Sequence, residues 1–206
     1  MRSLRRSPFQ RRLAAVAAAA VVLAGAAACG DGSNSIAGQA KRGDNKGYVA
    51  GNGQIEVIAP GKRKKPVALE GTTLEGKAWS LSSARGQVVL LNFWGSWCPP
   101  RQKELPQLQS AWTRYRAAGA PVQFMGVLQK DSVTSASATA AKFGVRYPSL
   151  RDDGGKSLLG LQGKVVTVPT TLVIDKQGRI AARVSGESTE TTFRSLVDQM
   201  LAEPAT

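Results

Sequence analysis

Val88, Val89, Leu90, Leu91, Phe93 and Trp94 form a continuous apolar run broken only by Asn92. The run is too short for a buried helix and reads as a strand covered on both faces. It stops at Gly95-Ser96-Trp97-Cys98-Pro99-Pro100. Leu105, Leu108, Trp112 and Tyr115 then recur at helical spacing until Gly119 breaks the pattern. A chain that leaves a fully buried strand and enters an amphipathic helix within one short corner is committed to a layered α/β plan.

The remaining patterns extend that plan. Residues 122–128 read as the next strand, 133–143 as a weaker helix and 147–150 as a short strand. Val168-Pro169-Thr170-Thr171-Leu172-Val173-Ile174-Asp175 reads as a further strand with proline at its start. Lys176-Gln177-Gly178 turns the chain into a hairpin partner at 179–184. Phe193, Leu196, Val197, Met200 and Leu201 define a last amphipathic helix. Leu74-Glu75-Gly76-Lys77 reads as a turn between short strands. The sum is one α/β domain with a sheet covered on both faces.

Composition removes whole classes of chemistry. Among 206 residues there is no histidine and there are two cysteines, Cys29 and Cys98. Ser-His-Asp and Cys-His catalysis are excluded, as are histidine-ligated zinc and haem. Two cysteines build neither a four-thiolate metal site nor a multi-bridge disulfide framework. No metal and no cofactor is expected. The net charge of +14 suggests nucleic acid at first sight, but much of the excess lies before residue 66. No nucleic-acid partner is expected.

The first 28 residues read as an export signal. Arg2, Arg5, Arg6, Arg11 and Arg12 form a basic start, and 13–28 is uncharged and rich in Ala, Val and Leu. That stretch is short of the roughly 20 residues a membrane-spanning helix needs. Ala26-Ala27-Ala28-Cys29-Gly30 resembles the lipobox of bacterial lipoproteins, in which the leader is cut before a cysteine that then carries lipid. The alternatives are an ordinary cleaved leader, an uncleaved anchor and a twin-arginine signal at Arg11-Arg12. Each places the rest of the chain outside the cytoplasm, and the lipobox reading puts it on the outer face of the cell membrane. Residues 29–65 then read as the lipidated cysteine plus a flexible tether, too poor in large apolar residues to order itself. One exception is 54–59, whose alternation suits an edge strand. Lys62-Arg63-Lys64-Lys65 reads as a solvated linker, or as a patch for an anionic surface. The folded domain is expected over 66–206.

Cys98 is the residue with chemistry. It stands at the strand-to-helix corner, at or near the helix N-cap. The positive end of the helix and its free N–H groups favour thiolate over thiol. With Pro99 and Pro100 at the first two helical positions, the third N–H, that of Arg101, is the one a capping sulfur can accept.

The segment from Val89 to Pro100 resembles the active-site segment of thioredoxin-like proteins, and is most similar to the TlpA/ResA family of membrane-tethered extracytoplasmic thiol–disulfide oxidoreductases. The likeness covers roughly 66–203. Glu104-Leu105-Pro106 matches the acid and helix-kinking proline that follow the motif in that family. Val168-Pro169-Thr170-Thr171 resembles its cis-proline strand, and Asp175-Lys176-Gln177-Gly178-Arg179-Ile180 its β-hairpin. The resemblance implies a thioredoxin-like fold, a central mixed sheet flanked by helices, with the N-terminal extension of the family. It also implies a cis bond before Pro169 beside Cys98, and a groove at Val168, Pro169 and Thr170 where substrate backbone pairs. Trp97, Pro99 and Pro100 would wall and tune the site. Glu104 would handle protons, with an exposed first-turn acid as the plain alternative.

The chain departs from the family at one place. The family motif is Cys-x-x-Cys, and Arg101 stands where the second cysteine should be. Either Arg101 helps hold Cys98 as thiolate or binds an anionic group on a partner, or the resolving cysteine has drifted away and Arg101 reaches solvent, pairing with Glu104 at i+3. Two functions follow. One is a monothiol oxidoreductase in which Cys98 attacks disulfides of extracytoplasmic cysteine-containing proteins, apocytochrome c among them, or of low-molecular-weight thiols. A separate reductant or resolving thiol completes the cycle. The other is a redox-inactive binding module that captures partners without turnover. A one-cysteine peroxidase fits poorly, because peroxiredoxins carry Pro and Thr where this chain has Leu91 and Gly95.

Overall fold

The computed structural model describes residues 54–204, except Asp152 and Thr167. The export signal at 1–28, Cys29 and the tether up to residue 53 lie outside the described residues.

Among the described residues, six strands form one mixed sheet. They are β1 (Gln54–Val57), β4 (Val88–Trp94), β5 (Val122–Leu128), β6 (Ser149–Leu150), β7 (Thr170–Ile174) and β8 (Ile180–Ser185), in the order β1-β8-β7-β4-β5-β6. β2 (Glu70–Thr72) and β3 (Ala78–Ser80) make a separate hairpin that turns at Gly76, where φ is +84°. β4 runs parallel to β5 and antiparallel to β7, with Phe93 opposite Thr170 and Asn92 opposite Thr171. Every residue of β4 is buried, as its unbroken apolar pattern requires of a central strand.

Among the described residues, four α-helices accompany the sheet: α1 (Pro99–Ala117), α2 (Val133–Lys142), α3 (Lys156–Leu159) and α4 (Glu190–Ala202). Period-two alternation sorts the core. Val88 and Leu90 of β4 pack with Leu108, Ala111 and Tyr115 of α1 and with Phe193, Leu196, Val197 and Met200 of α4. Val89, Leu91 and Phe93 face the other way, onto Val67, Leu69, Leu81, Ala84 and Leu161. α1 starts on two prolines, whose missing N–H groups cost nothing at those positions. Arg114 and Arg116 in its last turn suit the negative helix end.

The strand expected at 54–59 forms at Gln54–Val57 and pairs antiparallel with β8 along that edge of the sheet. The ordered fold therefore starts before residue 66, and the basic run is not wholly a solvated linker. Lys62, Lys64 and Lys65 are exposed, but Arg63 is buried. Its guanidinium donates to Asp175 at 3.0 Å, to both oxygens of Glu203 at 2.5 and 2.6 Å, and to the Ile58 carbonyl at 2.9 Å. A buried guanidinium with two carboxylates and a carbonyl pins this segment to the turn after β7 and to the end of α4. Among the described residues, no helix is long and apolar enough to cross a membrane.

Candidate active site

The corner between β4 and α1 is held from both ends. A Cβ on Gly95 would come within 2.4 Å of the Trp97 Nε1 and 3.0 Å of the Gln129 carbonyl, so only glycine fits. Trp97 folds back over it and donates its indole N–H to that carbonyl at 2.9 Å, while the residue stays 52% exposed. The Ser96 N–H and hydroxyl both donate to the Asp131 carboxylate, at 2.5 and 3.0 Å. Gln102 of α1 donates back to the Ser96 carbonyl at 2.6 Å. Asp131 and Gln129, in the loop after β5, thus fix the residues that precede Cys98. Neither lies near the corner in sequence, and no local pattern marks them.

Cys98 is the N-cap residue of α1, with extended backbone at φ −105° and ψ 99°. It is a free cysteine, 6% exposed. Its sulfur does not accept the Arg101 N–H as expected. The N–H groups of Arg101 and Gln102 both go to the Cys98 carbonyl, at 3.1 and 3.2 Å, and no side chain caps the helix. The first turn is tightened onto the backbone, which leaves the sulfur uncommitted to the helix end. Pro99 and Pro100 are exposed beside it.

Arg101 does not reach solvent. Its side chain is fully buried. Nη1 donates to Glu104 Oε2, pairing at i+3, and Nη2 donates to the carbonyls of Phe93 and, at 3.2 Å, of Thr170. The guanidinium therefore ties the end of β4 to the start of β7. Burial lowers its proton affinity, opposed by attraction to Glu104, Tyr147 and Cys98, yet a guanidinium remains charged in proteins. Its Nε–H has no partner among the described residues.

Glu104 is buried too, which removes the exposed reading. Its second oxygen accepts the Ser188 N–H at 3.2 Å. Burial pushes its carboxyl up to about 7, against the pull of Arg101 and the Ser188 N–H, and the nearby Glu187 charge adds to the rise. Burial also raises Tyr147, whose hydroxyl accepts from Asn92 Nδ2 at 3.1 Å. Asn92, the one polar residue in the β4 run, keeps its Oδ1 unpaired, as does the Thr171 hydroxyl opposite it. A polar layer therefore lies on the sheet beneath the corner. The break in the apolar run marks its first member, and the others come from distant segments.

The peptide bond between Val168 and Pro169 is cis. Both residues are half-buried, and Thr170 is buried with its carbonyl on Arg101. Cys98 and Pro169 thus flank the ends of two paired strands that Arg101 bridges. Among the described residues, no cluster of three or more acidic, cysteine or histidine side chains is placed to hold a metal.

Residues 61–183 match the model of the AhpC/TSA family. The chain belongs to that family. Within it the chain is of the ResA type. It is 33% identical over 119 residues to a thiol-disulfide oxidoreductase ResA of Bacillus thuringiensis, covering 58% of this chain and 66% of that one, just under two thirds. It is 34% identical over 145 residues to the thiol:disulfide interchange protein HelX of Rhodobacter capsulatus, covering 70% and 78%. A secreted thiol-disulfide isomerase from Corynebacterium glutamicum superposes with a TM-score of 0.64 at 31% identity, over 72% of this chain and 92% of that one. The AhpC/TSA fold here is the thioredoxin-like one, a mixed sheet flanked by helices.

Proposed function

We propose that this member of the AhpC/TSA family is an extracytoplasmic thiol–disulfide oxidoreductase that works through the single sulfur of Cys98. One observation carries the reading: an uncommitted free thiol at the N-cap of α1, with a buried arginine at the position where the resembled Cys-x-x-Cys motif would put a second cysteine. The Cys98 thiolate attacks one sulfur of a disulfide R–S–S–R′. A Cys98–S–S–R bond forms and R′–S⁻ leaves. A second thiolate from outside, R″–S⁻, attacks the R sulfur of that bond, forms R–S–S–R″ and releases the Cys98 thiolate. Electrons balance without a metal or cofactor. Val168, just before cis-Pro169, offers backbone to an extended substrate. Trp97, Pro99 and Pro100 give the approach an apolar wall.

Substrates on this reading are cysteine-containing proteins outside the cytoplasm or low-molecular-weight thiols. The likeness to the thiol-disulfide oxidoreductase ResA, to HelX and to the secreted isomerase supports the class. Service in cytochrome c maturation is the narrower form of the proposal. Lipidation of Cys29 after removal of 1–28 would hold the domain at the outer face of the cell membrane, and Cys29→Ser should release it from membranes. The binding-module reading keeps one observation in its favour, the 6% exposure of Cys98. Reduction of a protein disulfide by external thiol separates the two. Wild type should accelerate it and Cys98→Ser should not. Equal rates for both would leave only the binding module.

A further inference from the structure

Three consecutive carbonyls lead into β7, and two of them are taken. The Pro169 carbonyl accepts the Gly186 N–H at 2.9 Å, and the Thr170 carbonyl accepts Arg101 Nη2–H at 3.2 Å. Val168 is half-buried, and its backbone bonds to no other described residue. The same Nη2 also holds the Phe93 carbonyl, and Phe93 stands opposite Thr170 as the last pair of the β4–β7 ladder. Beyond that pair one strand runs on to the Cys98 corner, and the other runs back to Val168. Arg101 is itself anchored: Nη1 donates to Glu104, whose second oxygen accepts the Ser188 N–H from the loop before α4. Both side chains are buried, so these charge-assisted bonds face no competition from water. A planar fork can serve a carboxylate with one nitrogen and two carbonyls with the other, which a lysine cannot.

We propose that Arg101 is a positioning residue for polypeptide substrates: by clamping the Phe93 and Thr170 carbonyls it fixes the Val168 backbone relative to the Cys98 corner, so that the site favours disulfides carried on an extended chain over small ones. An extended peptide pairs with the free N–H and carbonyl of Val168 in strand fashion. That pairing delivers the peptide's own sulfur to Cys98 only while the two strand ends keep their register. A small disulfide makes no such pairing and gains nothing from the clamp. The fork thus supplies orientation, not chemistry. This rests on the reading of Cys98 as the nucleophile.

The test compares two uncharged disulfides that share a leaving group. One is hydroxyethyl disulfide, and the other is a short extended peptide whose central cysteine is joined to mercaptoethanol. With each, the Cys98 thiolate attacks a sulfur, a Cys98–S–S bond forms and mercaptoethanol thiolate leaves. Mass spectrometry follows the adduct against disulfide concentration on the full chain carrying Cys29→Ser, in which Cys98 is the one thiol. With Arg101 in place the peptide should react more efficiently by roughly tenfold or more. Arg101→Lys should lose most of that preference through a higher half-saturating peptide concentration. The ratio of the two reactions cancels any change in the sulfur itself, and a merely structural loss slows both alike. Arg101→Met combined with Glu104→Gln removes both charges together and carries the same ratio where Arg101→Lys fails to fold. A chain with Arg101 that shows no preference for the peptide, or a folded variant that keeps it in full, overturns the positioning role alone. A folded chain inert to both disulfides overturns the nucleophile reading as well.

Discussion

Two buried arginines sit at the two ends of β7, and they are paired differently. At its far end Arg63 meets Asp175 and Glu203, and Asp175 in turn takes Arg179 at 2.8 Å. Burial works against the Arg63 charge, but its bonds to Glu203 and Asp175 outweigh burial and hold its proton affinity above the ordinary value. At the near end Arg101 has one carboxylate and a spare donor, and there burial wins. A buried cation with two anions is a clasp. A buried cation with one anion and two carbonyls is a cross-tie between strands that keeps a donor to spare. The same residue type is held differently at the two ends of a strand because of how many acids surround it.

The largest expected effect breaks the clasp. Arg63→Ala leaves Asp175 and Glu203 short of their shared cation, and removing one partner of a buried pair costs about 3–5 kcal/mol. Denaturant unfolding should register that loss while Cys98 alkylation of the folded protein stays at the wild-type rate. A change of alkylation without a change of stability would reverse the roles assigned to the two ends.

The next effect sharpens the near end. Glu104 takes up its proton more readily folded than unfolded, so between its ordinary carboxylate range and about pH 7 the native state binds more protons. Stability should therefore fall as pH rises through that window and level off above it, by up to about 3 kcal/mol. Glu104→Gln should flatten that slope. Thermal unfolding of wild type and variant at several pH values measures it, and parallel slopes would contradict the buried acid.

Much of this was legible in the sequence. The apolar run of β4, the proline-started helix, the hairpin around Gly178 and the proline before β7 are local patterns, and each appears where expected. Cys98 stands at the N-cap for the same reason. What escaped was set by distance along the chain. Arg63 sits in a basic run that looks solvated, and its partners lie 112 and 140 residues away. Arg101 turns inward because the Phe93 and Thr170 carbonyls accept it, and Thr170 is 69 residues on. Asp131 holds Ser96 from 35 residues away. Periodicity reports which face of an element is buried, but not which polar atoms from elsewhere will meet there.

A smaller effect tests how firmly the near end is held. The Thr189 hydroxyl accepts the Thr192 N–H at 3.3 Å and caps α4, directly after the loop that gives Ser188 to Glu104. Thr189→Ala should cost about 1 kcal/mol. Thermal unfolding of the variant measures that loss, and an unchanged midpoint would contradict the cap.

The central claim, that Cys98 is a working nucleophile, is tested most directly by intact-protein mass spectrometry after exposure to glutathione disulfide. Peptide mapping should place one glutathione adduct on Cys98 of the folded protein, and added thiol should remove it and restore the starting mass. A folded protein that gains no adduct at Cys98, or gains one that external thiol cannot release, would contradict the account.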